Sequence, residues 1–290
     1  MRLGMIGLGK MGANMATRLR RAGHEVVGYD RDPAARDVDS LEALVAALDG
    51  EGRRVVWVMV PAGAATGATI DALAGLLSPG DLVVDGGNSN FRDSQAHGAA
   101  LAERGIGFVD AGVSGGVWGL EEGYCIMAGG KTGDVAHLEP VFDALVADGG
   151  FAHVGPAGAG HFTKMVHNGV EYGLMQAYAE GYELLQASDV PVDVPATLEV
   201  WRHGSVVRSW LLDLLADAVA DDPELAGVRG WVEDSGEGRW TVEQAVQLGV
   251  PAPAITAALY ARFASRQEDS LAMRTLAVLR KQFGGHATRS

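Results

Sequence analysis

Residues 164 to 172 read KMVHNGVEY, which sets a lysine, a histidine, an asparagine, a glutamate and a tyrosine inside an otherwise apolar stretch. On a helix, at about 100° per residue, Lys164, His167, Asn168 and Glu171 share one arc of about 100°. Two readings of that face are open. One is a solvated helix side, the usual setting of a Lys–Glu pair. The other is an acid/base constellation, in which a lysine with a burial-lowered pKa takes a proton and the glutamate handles a second one. The flanking Phe162, Met165, Val166, Val170 and Leu174 are apolar and favour a packed setting. His167 taken alone is more often structural than catalytic.

The chain that must position this face has 290 residues, 48% hydrophobic and 21% charged, in the range of globular proteins with room for two domains. Its formal net charge of -14 argues against nucleic acid or an anionic membrane as the main partner. An anionic ligand would need local cations and backbone N–H groups. No apolar run reaches the length of a membrane span, and MRLGMIGLGKMG lacks a signal-peptide pattern. The single cysteine, Cys125, excludes an intrachain disulfide and fits a reducing cytoplasm. YCIMAGG reads as a buried strand, which makes Cys125 a core residue rather than a nucleophile. No cluster has metal-ligand spacing.

The first half alternates strand-like runs (RLGMI, HEVVGY, RVVWVMV, DLVVDGG, IGFVDAG, YCIMAGG, FAHVG) with Ala/Leu-rich helical segments such as ANMATRLRRAG, SLEALVAAL and SQAHGAALAERG. That alternation implies a parallel, doubly wound sheet with helices on both faces, a Rossmann-type α/β domain over residues 1–158. Beyond GPAGAG, helical segments at 161–187, 194–220, 241–248 and 253–283 imply an all-α domain over 159–290, entered by a long interdomain helix. KMVHNGVEY lies near the start of that helix, where a cleft between two domains is a usual place for small-molecule chemistry.

GLGKMG supplies Gly7, Gly9 and Gly12 as G-x-G-x-x-G, directly after a strand and opening a helix. In a dinucleotide fold the first glycine makes the turn, the second lets backbone approach a pyrophosphate, and the third allows close helix packing. The N–H groups at Lys10 and Met11 would face the phosphates. Asp30 follows the second strand at the interval expected of a ribose-binding carboxylate, which favours NAD over NADP. Arg31 and Arg36 leave NADP open as a second cofactor. VPAGAAT, from Val60, is either a cofactor loop at the sheet's carboxyl edge or an ordinary strand-to-helix loop. DGGNSN and DAGVSGG also end strands. Asn88, Ser114, Gly115 and Gly116 offer polar groups for a carboxylate and hydroxyls, or simply serve turns.

Together, GLGKMGANM, DGGNSN, DAGVSGG and GAGHFTKMVHNGVEYGLMQ closely resemble the decarboxylating 6-phosphogluconate dehydrogenase family of β-hydroxyacid dehydrogenases. GRWT, GVPAP and RKQFGGH extend the resemblance through nearly the whole chain, which is similar to the short, NAD-preferring branch. Asp30-Arg31-Asp32 stands where the longer NADP-using branch has an Asn-Arg-Thr-like segment.

The resemblance implies a cytoplasmic oxidoreductase of pentose phosphate or gluconate metabolism. Lys164 would be its general base and Glu171 its acid, with Asn168 orienting substrate and nicotinamide. His167, Asn88 and Ser114 to Gly116 would bind the substrate's hydroxyls and carboxylate. Tyr172, Arg280 and His286 would hold the phosphate, with Arg266 as a weaker candidate. It also implies a homodimer or higher homo-oligomer whose C-terminal tail completes the partner's site. The sequence departs from the long branch at Ser235 and Glu237, where that branch has a lysine and a threonine; an acidic Glu237 would oppose a phosphate. Two other functions fit part of the pattern. One is a non-decarboxylating β-hydroxyacid dehydrogenase of the 3-hydroxyisobutyrate or tartronate semialdehyde type, which Glu171 fits poorly. The other is a catalytically silent NAD-binding sensor.

Overall fold

In the computed structural model, which describes residues 1–50 and 52–289, Val55 and Trp57 point into one hydrophobic layer and Val56 and Val58 into another. A strand buried on both faces reads as a continuous apolar run, and this one lies in the middle of a sheet with helices on each side. The elements of the first layer pair are β1 (Arg2–Ile6), α1 (Lys10–Arg21), β2 (Glu25–Tyr29), α2 (Leu41–Ala47), β3 (Val55–Val58), α3 (Ala64–Leu76), β4 (Leu82–Asp85) and α4 (Phe91–Glu103). There follow β5 (Gly107–Ser114), a 3-10 turn at Gly116–Trp118, α5 (Gly119–Glu122), β6 (Tyr124–Gly130), α6 (Thr132–His137), α7 (Glu139–Leu145) and β7 (Val146–Gly155). The sheet has the order β2-β1-β3-β4-β5-β6-β7. Met15 and Leu19 of α1 and Phe142 of α7 cover one face, while Leu44, Ile70 and Leu101 of α2, α3 and α4 cover the other. Each such side chain, fully buried, contributes roughly 1.5–3 kcal/mol.

The parallel pattern breaks once. β6 pairs with β5 antiparallel, whereas β6 and β7 are parallel to each other. Residues 115–123 between β5 and β6 are too few for the crossover that a parallel pair needs, so the chain turns back beside β5. Cys125 corrects the sequence expectation as well: it is exposed, although the rest of its strand is buried.

The helical part comprises α8 (Ala159–Gln186), α9 (Val194–Arg202), α10 (Trp210–Asp221), α11 (Glu237–Leu248), α12 (Pro253–Ser265) and α13 (Leu271–Gly284). Two expected helices are each split. The 194–220 segment breaks at Gly204, with φ +76°, and restarts where the Ser209 hydroxyl accepts the Leu212 N–H at 3.1 Å. The 253–283 segment ends a helix at Ser265, whose hydroxyl donates back to the Arg262 carbonyl at 2.8 Å, and polar residues 267–270 intervene. The chain divides into two compact units, Met1–His167 and Asn168–Ser290, and the dividing point falls within α8. Val194, Leu198, Leu212 and Val219 form one core of the second unit; Tyr172, Ala258 and Leu259 form another.

Candidate functional site

The glycine motif separates into two jobs. Gly7 has φ +90°, and a Cβ there would lie 2.6 Å from the Met59 carbonyl oxygen. A Cβ on Gly12 would lie 1.9 Å from the Gly7 carbonyl oxygen, so these two glycines are demanded by the fold itself. A Cβ on Gly9 would meet nothing within 4 Å. Gly9 also N-caps α1 without a side-chain cap, and the first turn of α1 has no acidic residue. A helix start with uncapped N–H groups and a glycine that no protein atom requires fits an approaching anion such as a pyrophosphate.

Lys10 is exposed and Met11 half-buried on that first turn. Asp30 is drawn to the same loop: one carboxylate oxygen accepts the Leu8 N–H at 2.6 Å and the other the Asp32 N–H at 2.9 Å. The Asp32 bond, reinforced by that from Leu8, holds the Asp30 carboxyl below its ordinary range and keeps it charged. Arg31 is exposed, and Arg36 pairs with Asp39 at 2.9 Å. Val60, half-buried, follows β3, and Asn88, exposed, follows β4. Both therefore lie at the carboxyl ends of parallel strands, as Asp30 does after β2.

One face of β5 forms a rail for the start of α8. Alternate residues of a strand share a face, here Asp110, Gly112 and Ser114. Asp110 accepts the backbone N–H of Gly158 at 2.6 Å with one oxygen and that of His161 at 2.8 Å with the other. A Cβ on Gly112 would lie 2.5 Å from the Lys164 Cβ and 2.8 Å from the Gly160 carbonyl oxygen. The Ser114 hydroxyl is 3.4 Å from His167 Nε2. Burial pushes the Asp110 carboxyl up; the charge of His161 and the two N–H bonds oppose that. Beyond Ser114, Gly115 and Gly116 have φ +127° and +54°, which turn the chain sharply at the strand end.

On α8, Lys164 and Asn168 are each only 7% exposed, while Val166, Val170 and Leu174 are exposed. Of the apolar flank expected to pack, Met165 is buried and Phe162 half-buried, whereas Val166, Val170 and Leu174 lie on the open side; Lys164 and Asn168, on the polar face, are turned inward. Glu171 is partly buried on that face, two turns from Lys164, or about 10 Å along the axis.

In the second unit, Tyr172 is 4% exposed and its hydroxyl accepts the Ser235 N–H at 3.0 Å. The Arg262 guanidinium lies over the Tyr172 ring, 3.6 Å from its centroid. Arg266 does not join them: it pairs with Asp234 at 2.7 Å, as does Arg239 at 2.5 Å. Arg239 first, then Arg266, holds the Asp234 carboxyl down at about 2. Arg262 was missed by sequence reasoning. It lies one turn after the buried Ala258 on the inward side of α12, a spacing that could have singled it out. Glu237 is 2% exposed, and neither of its carboxylate oxygens has a hydrogen-bond partner among the described residues. Arg280 and His286 lie on and just after α13, where every described residue is exposed. Among the described residues no His/Cys/Asp/Glu cluster could hold a metal ion, and no helix is long and apolar enough to cross a membrane.

Comparison with known proteins agrees with this geometry. Residues 2–155 match the family model of the NAD binding domain of 6-phosphogluconate dehydrogenase, and residues 160–283 that of the 6-phosphogluconate dehydrogenase C-terminal domain. An NAD(+)-dependent, decarboxylating 6-phosphogluconate dehydrogenase of Haloferax volcanii is 43% identical over 298 residues, covering 99% of this chain and 98% of its own. Among solved structures, Plasmodium falciparum 6-phosphogluconate dehydrogenase aligns with a TM-score of 0.83 at 25% identity. That alignment covers 98% of this chain but only 65% of the longer Plasmodium chain. A 3-hydroxyisobutyrate dehydrogenase of Mycobacterium tuberculosis aligns with a TM-score of 0.75 at 25% identity, covering 95% of this chain and 98% of its own.

Proposed function

Because the chain belongs to the 6-phosphogluconate dehydrogenase family, we propose that it converts 6-phospho-D-gluconate to D-ribulose 5-phosphate and CO2 while reducing NAD. The observation that carries this reading is the pairing of a buried lysine with a glutamate two turns further along the same helix. A simple alcohol oxidation needs one base. Oxidation followed by decarboxylation needs a second proton-transfer group, because the carbon that loses CO2 must regain a proton.

Gly7, Gly9, Lys10, Met11 and Gly12 with Asp30 would hold NAD, whose nicotinamide supplies the hydride acceptor when bound. Val60, Asn88 and Arg31 lie near strand ends suited to line the same cofactor. Lys164 takes the C3 hydroxyl proton as the C3 hydrogen departs with its electron pair. The resulting 3-keto acid breaks its C1–C2 bond and releases CO2, and the electrons pass to an enolate that the Lys164 ammonium stabilises. Glu171 then gives a proton to the carbon that bore the carboxylate, completing the ketose. His167, Asn168, Ser114, Gly115, Gly116 and Asn88 bind hydroxyls and carboxylate. Tyr172, with Arg262 stacked on it and Ser235 bonded to it, marks the phosphate end.

A homodimer fits the C-terminal helix. Leu276, Leu279 and Phe283 make a helically spaced apolar stripe that is 52%, 54% and 82% exposed in the single chain. Covering it with a second copy would bring Arg280 and His286 to the partner's substrate.

The test is NADH formation from 6-phosphogluconate with CO2 measured alongside. Equal amounts of both support the reading. NADH without CO2 would favour a dehydrogenase of the 3-hydroxyisobutyrate kind, and neither product would favour a sensor.

A further inference from the structure

The most completely buried charged contact in the first unit does not belong to any residue given a chemical role above. Asp110 is 0% exposed and His161 1%, and Asp110 spends both carboxylate oxygens on backbone N–H groups at the entry of α8. Those N–H groups belong to the end of the helix that has no intrahelical partners, so a carboxylate there satisfies orphan donors and complements the helix dipole. The contact comes from the strand rather than from the residue preceding the helix. It therefore ties the helix to the sheet, where an ordinary cap would only finish it.

Three glycines make the tie stiff. A Cβ on Gly129 would lie 2.5 Å from an Asp110 carboxylate oxygen and 2.6 Å from the Pro156 carbonyl oxygen. A Cβ on Gly160 would lie 2.4 Å from the Asp110 carbonyl oxygen, and one on Gly112 would meet the Lys164 Cβ. Backbone thus packs on backbone around the carboxylate, leaving α8 little room to slide or roll. From the other side, the buried Ser94 hydroxyl of α4 is hydrogen-bonded to His161 Nδ1 at 2.7 Å. Lys164 lies three residues beyond His161 on the same helical segment, and its Cβ rests against Gly112, two residues from Asp110 on the same face of β5.

We propose that Asp110 is a positioning residue for the reaction: it fixes the axial and rotational setting of α8 against β5, and so the reach of Lys164 to the substrate's C3 hydroxyl. Reaction rates fall steeply with misplacement of a base, by up to about a hundredfold for about 1 Å. The inference rests on the reading of Lys164 as the base.

Asp110→Asn keeps the shape and one acceptor oxygen but turns an amide N–H2 toward a backbone N–H. Asp110→Ala removes both acceptors. We expect kcat to fall in the order wild type, Asn, Ala, by about 10- to 100-fold at the last step, with the NAD dissociation constant within about twofold of wild type. The isotope effect on kcat with substrate deuterated at C3 should rise as chemistry becomes limiting, which a mere loss of stability would not produce. In the wild-type chain, the amides of Gly158 and His161 should exchange slowly with deuterium.

Turnover per folded molecule and an isotope effect both unchanged in Asp110→Asn would overturn the inference. So would fast exchange at the two wild-type amides, a result that holds even if neither variant folds. Lys164→Ala separates the two levels: if it keeps wild-type turnover, the reading of Lys164 fails and this inference with it. If it is inactive while the Asp110 variants are normal, only the inference fails.

Discussion

The Arg262 guanidinium lies over the Tyr172 ring, 3.6 Å from its centroid, and donates to the Glu233 carbonyl at 2.8 Å. The stack and the carbonyl bond set the orientation of the guanidinium, so its other donors point in defined directions. Arg262→Ala should raise the KM for 6-phosphogluconate by about 10- to 100-fold, the worth of a charge-assisted hydrogen bond or two, and leave NAD affinity unchanged. Arg262→Lys should not restore it, because an ammonium neither stacks nor forks. Steady-state kinetics with each substrate varied in turn would check this. A KM that stays at the wild-type value would move the phosphate away from Tyr172.

Glu171 is assigned the step after CO2 release, and Lys164 the step before it. Glu171→Gln should therefore lower overall turnover by about 10²- to 10⁴-fold, the usual contribution of a general acid, while NAD titrates as in wild type. Lys164→Ala should remove NADH formation altogether. Near-normal turnover in Glu171→Gln would remove the glutamate from the mechanism. Trapping the reaction at short times in that variant should reveal CO2 and NADH ahead of ribulose 5-phosphate.

How much of this was legible in the sequence varied with the physics involved. The strands were legible because buried β-branched runs bounded by glycine have few other uses, and the roles of Gly7 and Gly12 follow from sterics. The reversal at β6 was not, since strand direction depends on the length of the connection at 115–123 rather than on the composition of YCIMAGG. The exposure of Cys125 was hidden for a related reason: a strand apolar at nearly every position shows no phase, and only its pairing opposite Ser114 at the ladder's end reveals the open side. On α8 the apolar flank divides: Met165 packs as expected, whereas Val166, Val170 and Leu174 are exposed although their spacing is as regular as that of a core face. Arg262 carries a spacing signal on α12, one turn after Ala258, but its place over the Tyr172 ring shows only in the fold. Asp110 has no mark in the sequence beyond its place in the strand IGFVDAG, because its contacts to Gly158 and His161 span about 50 residues.

The Asp234 carboxylate, 3% exposed and flanked by Arg239 and Arg266, gives the second unit an acid-sensitive element. Its pKa is about 2 in the folded chain against an ordinary 3.8. A depressed carboxylate stabilises the fold above its unfolded pKa, and that contribution disappears as pH falls from about 4 toward 2. Asp234→Asn should thus destabilise the fold at pH 7 by about 1–2 kcal/mol, given that Arg239 is half exposed, and lower the melting temperature accordingly. The gap between variant and wild type should close as the melts are repeated down to about pH 2. A gap that stays constant across that range would assign the loss to packing instead of charge.

Glu237 presents the opposite case, a carboxyl buried to 2% exposure without a hydrogen-bond partner among the described residues. It follows Gly236, close in sequence to Ser235, which binds the Tyr172 hydroxyl. A buried polar group left unsatisfied costs roughly 1–3 kcal/mol, and more if charged. Glu237→Gln removes the charge at almost constant volume, so it should raise the melting temperature. It should also lower the KM for 6-phosphogluconate if the phosphate lies at Tyr172, because a carboxylate repels a phosphate through poorly screened surroundings. Melts and kinetics on the same variant separate two effects. Higher stability with an unchanged KM would mean that Glu237 is a structural burden away from the phosphate. A raised KM would instead make Glu237 a ligand, accepting hydrogen bonds from the sugar hydroxyls next to the phosphate.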